Sequence, residues 1–139
     1  MEVRRLPVKP SPGDLSVSTR YFMAQTISWL LEAAILPGKL QDFEAVGAEL
    51  LKLTEAEPGT LCHEWFISDD QTTYQVYARF KDSDAVLAHI ETFSPFVERL
   101  LESSMPVSFQ VYGLPSEKVQ DILAAYQPVY FEKVHGFHR

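Results

Sequence analysis

Apolar and polar positions alternate along this chain with two periods, and the places where the period changes mark its elements. Ser28 to Leu36, SWLLEAAIL, is apolar on both faces except at Glu32, the pattern of a strand covered on both sides. Pro37-Gly38 then turns the chain into an amphipathic helix. In it Leu40, Phe43, Val46, Leu50 and Leu53 recur at three- and four-residue steps, while Gln41, Asp42, Glu44, Glu49 and Lys52 point outward. The helix ends before Pro58-Gly59, and two runs rich in Thr, Tyr, Val and Phe follow, Thr60 to Phe66 and Thr72 to Phe80. Ser68-Asp69-Asp70-Gln71 separates them as a hairpin turn. Asp82 or Ser83 caps a second helix with Val86, Ile90 and Phe93 on one face and His89 on its flank. Ser94-Pro95 restarts the helix for PFVERLLESS, and Pro106 precedes a strand, Val107 to Tyr112, in which Val107, Phe109 and Val111 alternate with polar neighbours. Ser116 caps a short helix bearing Val119, Ile122, Leu123 and Tyr126, and Val129 to Phe131 forms a small edge strand before the tail.

The order strand, helix, strand, strand, helix, strand predicts an α+β fold, the ferredoxin-like βαββαβ arrangement with an antiparallel sheet and both helices on one side. Three parts are expected: an extended arm over 1–27, rich in proline; the ferredoxin-like domain over 28–113; and a C-terminal extension over 114–139 packing on it. Strand phase puts Trp29, Leu31, His63, Trp65, Tyr74, Val76, Phe109 and Val111 toward the helices. Glu32, Cys62, Glu64, Phe66, Gln75, Tyr77, Arg79 and Tyr112 then face away. An open sheet face carrying so many rings is an association site, so a symmetric homodimer is expected to cover it, with Glu32, Glu64 and Arg79 as interface charges.

Composition narrows the function classes. With 139 residues, 46% of them hydrophobic, the chain has enough material for one packed core. A net charge of -7 without a basic stripe argues against a nucleic-acid partner. No apolar run is long enough to span a membrane, and Arg4-Arg5 is followed by proline-rich sequence rather than by the apolar core of an export signal. The single Cys62 suits a reducing compartment, so a cytoplasmic location is expected. His135 and His138 lie three apart in the tail without a cysteine or carboxylate cluster, and no metal site is expected.

From Leu31 to Phe96 the chain resembles the antibiotic biosynthesis monooxygenase family. The matching features are Pro37-Gly38-Lys39 at the start of the first helix, Glu57-Pro58-Gly59 followed by Leu61, and Glu64 in the second strand. They continue with Tyr77 and Arg79 in the third strand, Phe80-Lys81-Asp82 entering the second helix, and Ala88-His89 followed by Ser94-Pro95-Phe96. Where members often carry Tyr, Glu, Trp and a second His, this chain has His63, Ala78, Phe80 and Phe96. The resemblance implies a dimeric α+β barrel and a cofactor-free monooxygenase that oxidises a quinol, an anthrone or a polyphenol with O2.

Such chemistry needs an electron-rich aromatic substrate, a base and a dry apolar cavity. His89 is the candidate base, because imidazole titrates near neutrality. His63, in phase with Trp65, is a second acid or base, and Trp29, Trp65, Tyr74 and Phe93 are candidate walls for a flat ring. The same residues also fit a hydrogen-bonded core histidine within an ordinary aromatic core. A non-catalytic dimeric module that binds a small apolar ligand or serves a stress response is therefore an alternative, and a haem-binding or haem-degrading relative is a further one.

Overall fold

The computed structural model describes residues 26–139. The arm expected over 1–27 lies outside them except for Thr26 and Ile27, and Ile27 already opens the first strand. The elements are β1 (Ile27–Ile35), α1 (Leu40–Glu55), β2 (Thr60–Ile67), β3 (Thr73–Phe80), α2 (Ser83–Phe93), α3 (Val97–Ser103), β4 (Ser104–Tyr112), α4 (Glu117–Leu123) and β5 (Val129–Phe131). Short 3-10 turns, Ser94–Phe96 and Ala124–Tyr126, follow α2 and α4. The sheet runs β2-β3-β1-β4-β5. β1 to β4 pair antiparallel in the order of a ferredoxin-like fold, and β5 adds to β4 in parallel. A parallel neighbour needs a crossover, which α4 supplies.

Cross-strand register sorts the side chains as their phase predicts. His63, Ala78, Trp29 and Val111 form one row, and Trp65, Val76, Leu31 and Phe109 the next. These rows face the helices. Ile27, Trp29, Ala78, Phe80 and Val111 from the sheet meet Ala85, Val86 and Ile90 of α2 and Val119 and Leu123 of α4 in one buried cluster. Val46 and Leu50 of α1 close on Phe96, with Trp65 and Phe93 packed beside them. The opposite face carries the rows Cys62, Arg79, Ser28, Tyr112 and Glu64, Tyr77, Leu30, Gln110.

Two expectations are corrected. Leu53 is 48% exposed, and Thr54 completes the buried stripe of α1 instead, its hydroxyl donating to the Leu50 carbonyl at 2.9 Å. At 100° per residue Leu53 lies about 80° around the helix from Phe43 and about 60° from Leu50, whereas Thr54 falls about 20° from Phe43, in line with the stripe. β4 begins at Ser104 rather than after Pro106. Pro106 is tolerated inside the strand because it pairs with Ala33 where the register of β1 shifts between Glu32 and Ala33, and such an irregularity relaxes the demand for a ladder N–H.

Candidate active site

Two small residues decide where the carboxylate of the site lies. A Cβ placed on Gly59 would come 2.5 Å from the Cβ of Ala85, so the turn before β2 touches α2 only because residue 59 is glycine. The Gly59 carbonyl fixes that approach by accepting from the Lys81 N–H at 3.0 Å. α2 itself is started by Asp82, which accepts from the Ala85 N–H at 2.9 Å. Ala85 and His89 are four residues apart and share a face, so a turn lying against Ala85 at Gly59 lies beside His89 at Glu57. The Glu57 carboxylate stands 2.9 and 3.2 Å from His89 Nδ1 and accepts the Thr60 hydroxyl at 2.6 Å. The two side chains are 3% and 9% exposed.

Rings enclose the imidazole. His89 lies 5.1 Å from Phe80, 5.2 Å from His63, 5.3 Å from Phe93 and 5.9 Å from Trp29 between ring centroids. On the sheet, Ala78 is the residue between His63 and Trp29, the two rings of that row that His89 approaches. His89 is 2% exposed, deeper than a flank position on the helix suggests, because the Glu57–Gly59 turn covers that flank. His63 is half-buried, and its Nδ1 accepts the Trp65 indole N–H at 3.0 Å. Trp65 in turn rests on α1 at Gly47, where an added Cβ would meet the ring at 2.9 Å.

The electrostatics follow from burial. Desolvation pushes His89 below the ordinary histidine value, and the Glu57 carboxylate opposes that with its charge and its hydrogen bond. His63 is held at about 4, first by burial and then by His89, against a weaker pull from Glu57. Both rings are neutral at pH 7.

Of the residues expected at the site, His89, His63, Trp29, Trp65 and Phe93 are brought together. Tyr74 is not beside His89: its hydroxyl donates to Glu44 at 3.0 Å, and its ring packs on Phe43 and Trp65. Burial and Glu44 raise its pKa. Glu32, Glu64 and Arg79 lie on the opposite face, where Glu32 accepts from Gln75 at 3.0 Å and Arg79 donates to Thr26 at 3.2 Å. Glu57 was not anticipated as a site residue. Its only local signals are its place before Pro58-Gly59 and three residues ahead of Thr60.

The profile of the antibiotic biosynthesis monooxygenase family matches residues 27–93, which hold every member of this cluster. Over residues 27–93 the chain therefore has the fold of that family. Among solved structures, MupZ from Pseudomonas fluorescens is similar at 24% identity and a TM-score of 0.74, over 83% of this chain and 95% of that one. Coverage of that extent takes the likeness past residue 93 into the C-terminal extension. SnoaB, a cofactor-independent oxygenase from Streptomyces nogalater, matches at 20% identity and a TM-score of 0.57, over 67% of this chain and 96% of its own. Rv0793 from Mycobacterium tuberculosis matches at 17% identity and a TM-score of 0.59, over 67% and 98%. At these identities the likeness is one of fold. No curated protein matches the sequence. No helix among the described residues is long and apolar enough to cross a membrane.

Proposed function

We propose that this domain is a cofactor-independent oxygenase acting on a small aromatic substrate of the quinol, anthrone or polyphenol kind, with His89 as its base. The observation that carries this reading is the buried Glu57–His89 pair. A carboxylate on Nδ1 holds a neutral imidazole with its Nε2 lone pair free, the arrangement of an oriented general base. The rings of Trp29, Phe80 and Phe93 hold the imidazole out of water, and a flat substrate would have to enter past half-buried His63.

The reaction balances without a cofactor. His89 removes a proton from the substrate, the anion gives one electron to O2, and the resulting pair recombines to a carbon-bound peroxide. Loss of water then leaves a new carbonyl. A methylene and one O2 thus become a ketone and one H2O, with the substrate as the only reductant.

A homodimer through the open sheet face belongs to the same proposal, because Phe66 and Phe131 remain about half exposed there beside the stacked pair Tyr112–Phe131. The tight enclosure of His89 favours a second reading, in which Glu57–His89 only locks the core and the domain binds a ligand without turning it over. As an axial haem ligand, His89 would have to shed the rings of Phe80, Phe93 and Trp29 that now surround it. Oxygen uptake with a panel of hydroquinones and polycyclic phenols, in metal-free buffer, decides between oxygenase and binding module. The expected result is uptake that disappears in His89→Ala with unchanged circular dichroism. Absence of uptake across the panel would favour the second reading instead.

A further inference from the structure

His89 is 2% exposed, so no flat molecule reaches its ring unless part of the surrounding wall moves. Most of that wall is fixed. Antiparallel ladders hold Trp29, His63 and Ala78 in the sheet. The Glu57–Gly59 turn is wedged against Ala85 and tied to Lys81, and α2 buries Ala85, Val86 and Ile90 in the main cluster. Phe93, the last residue of α2, is placed differently. It packs on the main cluster and also on the smaller one of Val46, Leu50 and Phe96, and it lies 5.3 Å from His89. Trp65, whose indole holds His63, rests on that smaller cluster too. The smaller cluster is closed from above by the Ser94–Phe96 turn and α3.

That segment is built to move as a unit. Pro95 has no N–H to give to α2, and the Ser94 hydroxyl donates to the Ile90 carbonyl at 2.6 Å, so α2 is finished within itself. At the far end the Ser104 hydroxyl donates to the Leu100 carbonyl at 2.7 Å and finishes α3 in the same way. Between Ser94 and Ser103 only Phe96 and Ser103 are buried. The segment is held to α1 by Phe96 and Leu100, which pack with Val46 and Leu50, and by an ion pair, Arg99 Nη1 to Glu49 at 2.8 Å. The Arg99 guanidinium also lies 5.7 Å from the centre of the Phe96 ring. The ion pair is about half exposed, so water competes for both partners and little is lost when it parts.

We propose that the Ser94–Phe96 turn and α3 form a gate over the His89 site, hinged at Ser94-Pro95 and at Ser103-Ser104 and latched to α1 by Arg99 and Glu49. Swinging from α1, the gate draws Phe96 away from Val46 and Leu50, uncovers Phe93 and Trp65, and opens the approach past His63. Closed, it keeps the imidazole dry; open, it exchanges substrate and product. The inference rests on the proposed function for what passes the gate, but not for the motion itself.

The test is the rate at which diethyl pyrocarbonate modifies each histidine, read by peptide mass spectrometry. The reagent needs a neutral ring that it can reach, and the exposed His135 and His138 serve as the reference within the same chain. In a Cys62→Ser background, Glu49→Cys and Arg99→Cys are bridged with a bis-methanethiosulfonate, which dithiothreitol later releases. Bridging should slow His63 and His89 by about tenfold or more relative to the tail histidines, and release should restore both. Glu49→Gln, which keeps the packing but loses the ion pair, should speed both by about two- to fivefold. Both rates should change little in urea below the unfolding transition, as a local opening does. Equal rates in bridged and released protein overturn the proposal, as do rates that Glu49→Gln leaves unchanged and rates that follow the urea slope of global unfolding. Neither substrate nor O2 enters the measurement. A lack of oxygen uptake therefore leaves the gate standing, and a failed gate leaves the oxygenase to be decided by uptake.

Discussion

At the scale of single residues, Glu57 separates what is legible in the chain from what is not. His89, His63, Trp29 and Trp65 are readable because each lies in an element whose period dictates its direction. Glu57 lies in a turn, where no period applies, and its partner is 32 positions away. Its role has a signed consequence. Glu57 raises the pKa of His89 against the effect of burial, so Glu57→Gln should lower that pKa further. The acid limb of the oxygen-uptake profile should then move to lower pH, even as the plateau rate falls with the loss of the imposed tautomer. A kcat/KM profile measured from pH 4 to 8 checks this, and a limb that moves upward or stays in place contradicts it. His63 gives a second prediction. Its folded value of about 4 lies below the unfolded value near 6.5, so the unfolded chain takes up its proton first as pH falls. Stability from this residue is complete above about pH 6.5 and is lost progressively toward pH 4, by on the order of 3 kcal/mol. Burial likewise lowers His89, with the same sign, and Glu57 opposes both shifts. Urea midpoints at pH 7, 5.5 and 4.5 should therefore fall less steeply in His63→Gln than in the parent.

At the scale of elements, periodicity located every strand and helix of the ferredoxin-like core, because β-branched alternation and helical stripes differ over runs of seven or more residues. It did less well at the ends. The start of β4 depends on a register shift in its neighbour β1, and the exposure of Leu53 on how wide a stripe of α1 is covered, and both are tertiary facts. The close approach of the Glu57–Gly59 turn to α2 is of the same kind, and it can be tested. Gly59→Ala sets two Cβ atoms about 2.5 Å apart, too close for either backbone to remain in place. A destabilisation of about 1–3 kcal/mol is expected, with activity lost beyond what stability explains, because Glu57 is carried away from His89. Ala85→Gly added to Gly59→Ala vacates the same space from the other side. Chemical denaturation and oxygen uptake should both recover toward the parent in the double variant. Additive losses in it would show that contact with α2 is not what sets the turn.

At the scale of the whole molecule, the sheet has one face packed under helices and one face open, and the open face is where a partner is expected. Its rows mix charge with large apolar groups: Cys62, Arg79, Ser28 and Tyr112; Glu64, Tyr77, Leu30 and Gln110; Phe66, Gln75, Glu32 and Ser108. β5 lengthens that face with Phe131, stacked on Tyr112 at 5.5 Å and 47% exposed. Sheets left half-solvated usually carry polar side chains on the wet face, so a face with Phe66 53% exposed is poorly suited to water and well suited to a second copy. Phe66 is the informative position because it makes no ring contact with the helix-side cluster, while Trp65 on the other face of its strand packs against α1 at Gly47. Phe66→Glu should therefore leave the fold intact while placing a charge in the proposed contact face, where it loses hydration without gaining a partner. Sedimentation of the parent at micromolar concentration should give a mass near twice the 15.8 kDa of the chain, and the variant should give the single-chain value with unchanged circular dichroism. A parent that sediments as one chain, or a variant that still pairs, would mean that the open face is not where copies of this protein meet.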